Sequence, residues 1–195
     1  MNIIKKCANN FNKLLDIEYK IILGKKGKIT TLYLHFDKAA FYHLIGFHKI
    51  KDIPQLKTNR SLIFDNILNS DLSDKIFKSK NYKDITSRVD AFSKFIKYLD
   101  SENMIFKYNK FSDSRYSKIH FDYLIVNNEL DKKVFTFLRK ESNAHTIIPI
   151  SFFPEGEADY SKGQITLTLL YKEKIYKNKN TSKVLYCHKN FPIDN

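Results

Sequence analysis

Apolar residues near the amino end recur at helical spacing: Ile3, Ile4, Cys7, Phe11, Leu14 and Leu15 fall on one side, which predicts an amphipathic helix over residues 2–15. The pattern then changes. In EYKIILGKKGKITTLYLHF two β-branched and aromatic runs, about 17–23 and 28–36, flank the polar turn Gly24-Lys25-Lys26-Gly27, the signature of a hairpin. FYHLIGFHKIKDIP, residues 41–54, returns to helical spacing. Asp37 can cap this segment and Pro54 ends it, so the spacing predicts one helix of about 13 residues. From 54 to 99 the period stays helical through Leu56, Leu62, Ile63, Ile67, Leu68, Leu72, Ile76, Phe77, Ile85, Val89, Phe92, Phe95, Ile96 and Leu99. This block reads as roughly three helices, divided near Ser70 and Asn81.

After Asn103 strands take over: MIFKY, KIHFDYLIV, VFTFLRK, HTIIPISFF and QITLTLLYKEKIY, divided by turn-rich segments such as VNNELDKK and FPEGEADYSKG. Consecutive strands with short connections predict an antiparallel sheet with one face covered by helices. The expected class is α+β: helices packed on an antiparallel sheet of four to five strands, with a helical insertion after the histidine-bearing helix. One domain is expected over residues 1–195, comprising hairpin and histidine helix (16–53), helical insertion (54–100) and sheet (103–190). No internal repeat is visible, and KEKIYKNKNTSK is the one compositionally biased tract.

Composition supports a packed globular chain, with 43% hydrophobic and 14% aromatic residues. Lys and Arg total 34 against 21 Asp and Glu, a net charge of +13 that makes a polyanion the natural partner. The signal is weakened because Lys far outnumbers Arg and Asn, Ile, Phe and Tyr are also abundant, a bias that AT-rich coding produces on its own. No run is long enough to cross a membrane as a helix, and MNIIKKCANNF lacks the core of a secretory leader, so a cytoplasmic location is expected. Cys7 and Cys187 are too far apart in sequence for a zinc knuckle and read as reduced thiols.

The candidate chemistry begins with His43 and His48, two of six histidines, inside one predicted helix. At about 100° per residue they stand some 140° apart around a continuous helix, which disfavours a paired zinc site. One could be a core histidine bonded to a backbone carbonyl and the other a partly exposed residue. Against that bland reading stand Lys49 and Gly46, since glycine inside a helix costs about 1 kcal/mol relative to alanine and asks for a compensating close approach. Glu155, Glu157 and Asp159 form a small acidic cluster that reads as a solvated loop. No Walker loop, GxGxxG, GxSxG or HExxH occurs, leaving kinase, dinucleotide, hydrolase and zincin readings without support.

The core HLIGFHKIKDI, the hairpin before it and FLRKESNAHTIIPISFFPEGEADYSKGQ together resemble the phage-associated nuclease family, fourth of its series, in the Barnase, EndoU, colicin and RelE superfamily. The resemblance runs from about residue 18 to 171, and its amino-terminal motif is the more specific part. It implies a helix on an antiparallel sheet of about four strands and metal-independent ribonuclease activity of toxin or mobile-element type, without cofactors. An antitoxin or immunity protein is the partner such a toxin implies. Metal-free RNA cleavage needs a base for the 2′-OH, an acid for the 5′-oxygen and cations at the phosphate. Histidine suits both proton roles; arginine forks two phosphate oxygens and lysine offers a point charge. The expected catalytic set is therefore His43, His48, Lys49, Arg139 and Ser151, with His145, Tyr160 and Arg88 contacting substrate and no metal. Each has a plainer use: His145 as a strand-end surface residue, Arg139 as a solvated charge, Ser151 with a locally bonded hydroxyl, Tyr160 as an ordinary loop tyrosine. Arg60 and Arg88 could line a groove, although salt bridges to nearby acids are the commoner use. Two other functions remain open: a non-catalytic RNA- or protein-binding module of the same fold, and a nucleotidyl- or ADP-ribosyl-transferring toxin, for which no NAD motif is found.

Overall fold

The computed structural model describes residues 2–110, 119–128, 133–142, 145–156 and 158–191. Helix α1 (Ile3–Asn12) starts where the Asn2 side chain accepts from the Lys5 N–H, and it buries Ile4, Cys7, Ala8 and Phe11, as its period predicts. The hairpin follows as β1 (Ile17–Lys25) and β2 (Lys28–Leu34). Its two-residue turn, Lys26-Gly27, has both φ angles positive, the geometry that matches the twist of paired strands.

The histidine segment is not one helix. It forms a short α2 (Ala40–Ile45), breaks at Gly46 with φ 92°, and continues as a single tight turn over Phe47–Lys49. The helical block holds four short helices: α3 (Arg60–Asn69), α4 (Leu72–Phe77), α5 (Thr86–Phe92) and α6 (Phe95–Asp100). The strands after it are β3 (Met104–Lys107), β4 (Tyr123–Asn127), β5 (Val134–Lys140), β6 (Thr146–Pro154), β7 (Ile165–Tyr176) and β8 (Thr181–Cys187).

The expectation of a four- to five-strand antiparallel sheet with helices packed on it is overturned. All eight strands belong to one sheet, in the order β1-β2-β6-β5-β4-β3-β7-β8, and β1 also pairs with β7, closing seven strands into a mixed barrel with β8 as an added strand. Two pairings cause the difference. The amino-terminal hairpin is part of the sheet, since β1 pairs antiparallel with β7 from Ile17↔Tyr176 to Gly24↔Thr168. In addition, β2 runs parallel to β6, joined among the described residues through Tyr33↔Thr146 and Leu34↔Ile147. Beyond that short seam, α2 and α5 lie along β6.

Apolar packing divides between the two faces of the strands. The larger core joins the helices to Tyr19, Ile21, Leu32, Ile125, Leu138, Ile147 and Phe152, and Phe41 lies at its aromatic centre, 5.1–5.8 Å from the rings of Phe11, Phe47, Phe64 and Phe92. Phe106, Phe121, Leu124, Val126, Phe135 and Phe137 form a second cluster, against which Ile150, Phe153 and Tyr160 pack. Buried Lys172 of β7 ties the barrel to the helices. Its ammonium donates to the Leu99 carbonyl at 2.8 Å, to Asn103 Oδ1 at 2.8 Å and to the Ser101 carbonyl, so it caps the end of α6. Among the described residues no helix is long and apolar enough to cross a membrane.

Candidate active site

Alternation along α2 sends Phe41, Leu44 and Ile45 into the aromatic core and leaves His43 on the outer side. The Asp37 carboxylate accepts from the Ala40 N–H at 2.8 Å, the role its position before the apolar run suggests. Gly46 ends the helix in the left-handed region, its N–H donating to the Tyr42 carbonyl, and the chain turns back on itself. This break changes the relation of the two histidines. On a continuous helix they would point away from each other, whereas here their ring centroids lie 5.8 Å apart with planes tilted by 34°.

His43 opens on a cleft of about 460 Å³ whose polar wall is made by Asp37, His43, Arg60, His120 and Arg139, with Ile119 and the Ile148–Ile150 stretch of β6 supplying apolar surface. Arg139 is delivered by the end of β5, where it pairs with Ile148. Arg60 opens α3 and lies 5.5 Å from the Tyr42 ring. Residues far apart in sequence, 43, 60, 120 and 139, thus converge where α2 covers β6 beyond its seam with β2.

Both histidines are held neutral. Burial lowers the His48 pKa to about 4, helped by the charges of Arg88, His43, Lys49 and Lys51. Burial and then Arg60 lower that of His43. At neutral pH both imidazoles are therefore uncharged.

The other expected residues lie elsewhere. Lys49 is exposed and reaches the Asp84 carbonyl at 3.5 Å. Ser151 is 8% exposed, opposite Phe137 in the sheet, and is not part of the cleft wall. His145 stands just before β6, with Nδ1 3.1 Å from the Thr31 carbonyl oxygen. Tyr160 is packed into the second apolar cluster, 5.2 Å from the rings of both Phe135 and Phe137. Arg88 is only 4% exposed. Of the acidic loop, Glu155 and Asp159 flank Lys133 at 3.8 and 2.8 Å, and Glu157 lies outside the described residues. Among the described residues no cluster of His, Cys, Asp or Glu could hold a metal ion.

Sequence reasoning missed His120, which stands before β4 in a segment with strand composition and no histidine motif. It also left Arg60 as a minor option. The signal for the paired histidines was Gly46 itself, since a glycine one residue past a short apolar helix is the common left-handed terminator.

No curated protein and no solved structure matches the chain. Residues 3–189 match the model of the phage-Barnase-EndoU-ColicinE5/D-RelE like nuclease 4 family. That match spans nearly all 195 residues, and the chain belongs to this family of nucleases.

Proposed function

We propose that this nuclease is a metal-independent endoribonuclease of toxin or mobile-element type, cleaving RNA by general acid and base catalysis in the cleft beside α2. The observation that carries the reading is the convergence of His43 with Arg60, His120 and Arg139 on one concavity. Arg60 and Arg139 hold the scissile phosphate, the use to which a guanidinium fork is best suited. Neutral His43 takes the 2′-OH proton. The 2′-oxygen then bonds to phosphorus, the bond to the 5′-oxygen breaks, and a protonated histidine returns a proton to that leaving oxygen, giving a 2′,3′-cyclic phosphate and a free 5′-hydroxyl. His120 shares the cleft and is the assigned donor. The +13 charge draws in the polyanion.

The test uses a mixed-sequence RNA and the same RNA carrying 2′-deoxyribose throughout. Cleavage of the first in EDTA, none of the second, and a loss of about 100-fold or more in His43→Ala with unfolding unchanged are expected. Arg139→Ala should weaken binding and reduce its salt slope by about 0.7, the value for one phosphate contact on a single strand. Activity that disappears in EDTA and persists in His43→Ala refutes the mechanism. Absence of any RNA cleavage, with binding retained, selects the non-catalytic module.

A further inference from the structure

Arg88 of α5 is buried, yet among the described residues no carboxylate forms an ion pair with it. A charged side chain taken out of water ordinarily meets an acid. Here three other contacts converge on it. Its Nη1 donates to the His43 carbonyl at 3.4 Å, and its guanidinium lies over the Phe153 ring at 4.2 Å. Its Cδ and Nε press on Gly46 so closely that a Cβ there would stand 3.1 and 3.3 Å from them. Phe153 is itself backed by the stacked ring of Tyr160.

We propose that Arg88 is a positioning residue of the nuclease site: its buried guanidinium seats the Gly46 break from beneath and so fixes His48 beside His43, without touching RNA. The inference rests on the reading of His43 as the proton acceptor, and it replaces the expected role of Arg88 as a substrate contact. The geometry explains the glycine. A Cβ at position 46 would crowd Arg88 Cδ and Nε and Ile85 Cγ2 at 3.1–3.3 Å, in a backbone already held at φ 92°. It also explains why a lone cation is tolerated there, because the carbonyls at the end of α2 and the face of Phe153 are both electron-rich. The Arg88 charge adds to burial in holding His48 neutral, together with His43, Lys49 and Lys51, while His43 faces Arg60 and shares the cleft with Asp37, His120 and Arg139.

The experiment compares wild type, Arg88→Met and Arg88→Lys by RNA cleavage, by thermal unfolding and by NMR titration of the two imidazoles. In Arg88→Met, kcat should fall at least tenfold with KM within about twofold, the pattern of lost alignment and not of lost binding. The His48 midpoint should rise from about 4 toward, without reaching, the ordinary value near 6.5, since its partial desolvation and the Lys49 and Lys51 charges persist. Arg88→Lys should keep the low midpoint because the charge remains, but should not restore kcat because the fork and the ring contact are gone. A raised KM with unchanged kcat in either variant would show Arg88 to be an RNA contact. Identical His48 titrations in wild type and Arg88→Met would overturn the seat. Should Arg88→Met fail to fold, full kcat in Arg88→Lys would overturn it equally. If wild type cleaves no RNA, the titrations still decide the position of Arg88 while the nuclease mechanism alone falls.

Discussion

Gly46→Ala separates the broken helix from a continuous one by the sign of a single measurement. In an uninterrupted helix, alanine at this position would add about 1 kcal/mol of stability, because glycine is the poorer helix former. In the observed turn residue 46 has φ 92°, where an L-side chain is strained by about 1–2 kcal/mol. The new methyl would also sit 3.1 Å from Arg88 Cδ and 3.2 Å from Ile85 Cγ2, and Ile85 is fully buried, so one of these neighbours must yield. Overpacking of this kind costs about 1–3 kcal/mol, the lower end applying where the flexible arginine gives way. A net destabilisation of about 2–5 kcal/mol is therefore expected, from the strain and the crowding together. Urea unfolding of wild type and variant, followed by circular dichroism, measures it. An unchanged or raised midpoint would mean that the histidine segment runs on as a helix, and the proximity of His43 to His48 would fall with it.

Lys172→Met should destabilise by about 2–3 kcal/mol, because loss of the ammonium leaves acceptors at Leu99, Ser101 and Asn103 without their donor in a buried setting; a neutral result in the same urea assay would show that relief of the buried charge offsets the loss. Acid should weaken the fold through the histidines: both folded pKa values lie below the unfolded value near 6.5, so the unfolded chain binds more protons between about pH 6.5 and 4, and the contribution complete above 6.5 is lost as pH falls through that window. Thermal midpoints at pH 7 and pH 5 should diverge in wild type and diverge less in His48→Gln; equal differences in the two proteins would contradict the lowered pKa of that ring.

The sequence carries the elements better than their partners. Alternation over VFTFLRK and HTIIPISFF marks β5 and β6 because both ends of each run are bounded by turn residues, and the hairpin is announced by its Lys-Gly turn. Nothing local says that β1 pairs with β7 or that β2 lies parallel to β6, since a pairing partner is chosen by tertiary packing and not by the strand's own pattern. The same limit applied to the site. His43 and Arg139 stand out by residue type, whereas the inward course of Arg88 depends on Phe153 and Gly46 meeting beneath it. Tyr160 was unreadable for the converse reason: a loop tyrosine and a packed one look alike until Phe135 and Phe137 are placed beside it.

The closure of the barrel also orders events in time. A growing chain presents its amino-terminal hairpin first, and domains generally begin to fold from that end during synthesis. Here β1 has no closing partner until β7, Ile165–Tyr176, has been made, and His43 faces no opposing wall until Arg139 and the Ile148–Ile150 stretch of β6 exist. Pairings across such long sequence separation form late because loop closure must precede them. A truncated or stalled chain therefore holds its histidines without the arginine opposite them, and competence arrives with the last strands. For a nuclease, that order leaves the unfinished polypeptide without an assembled cleft until its later strands are made.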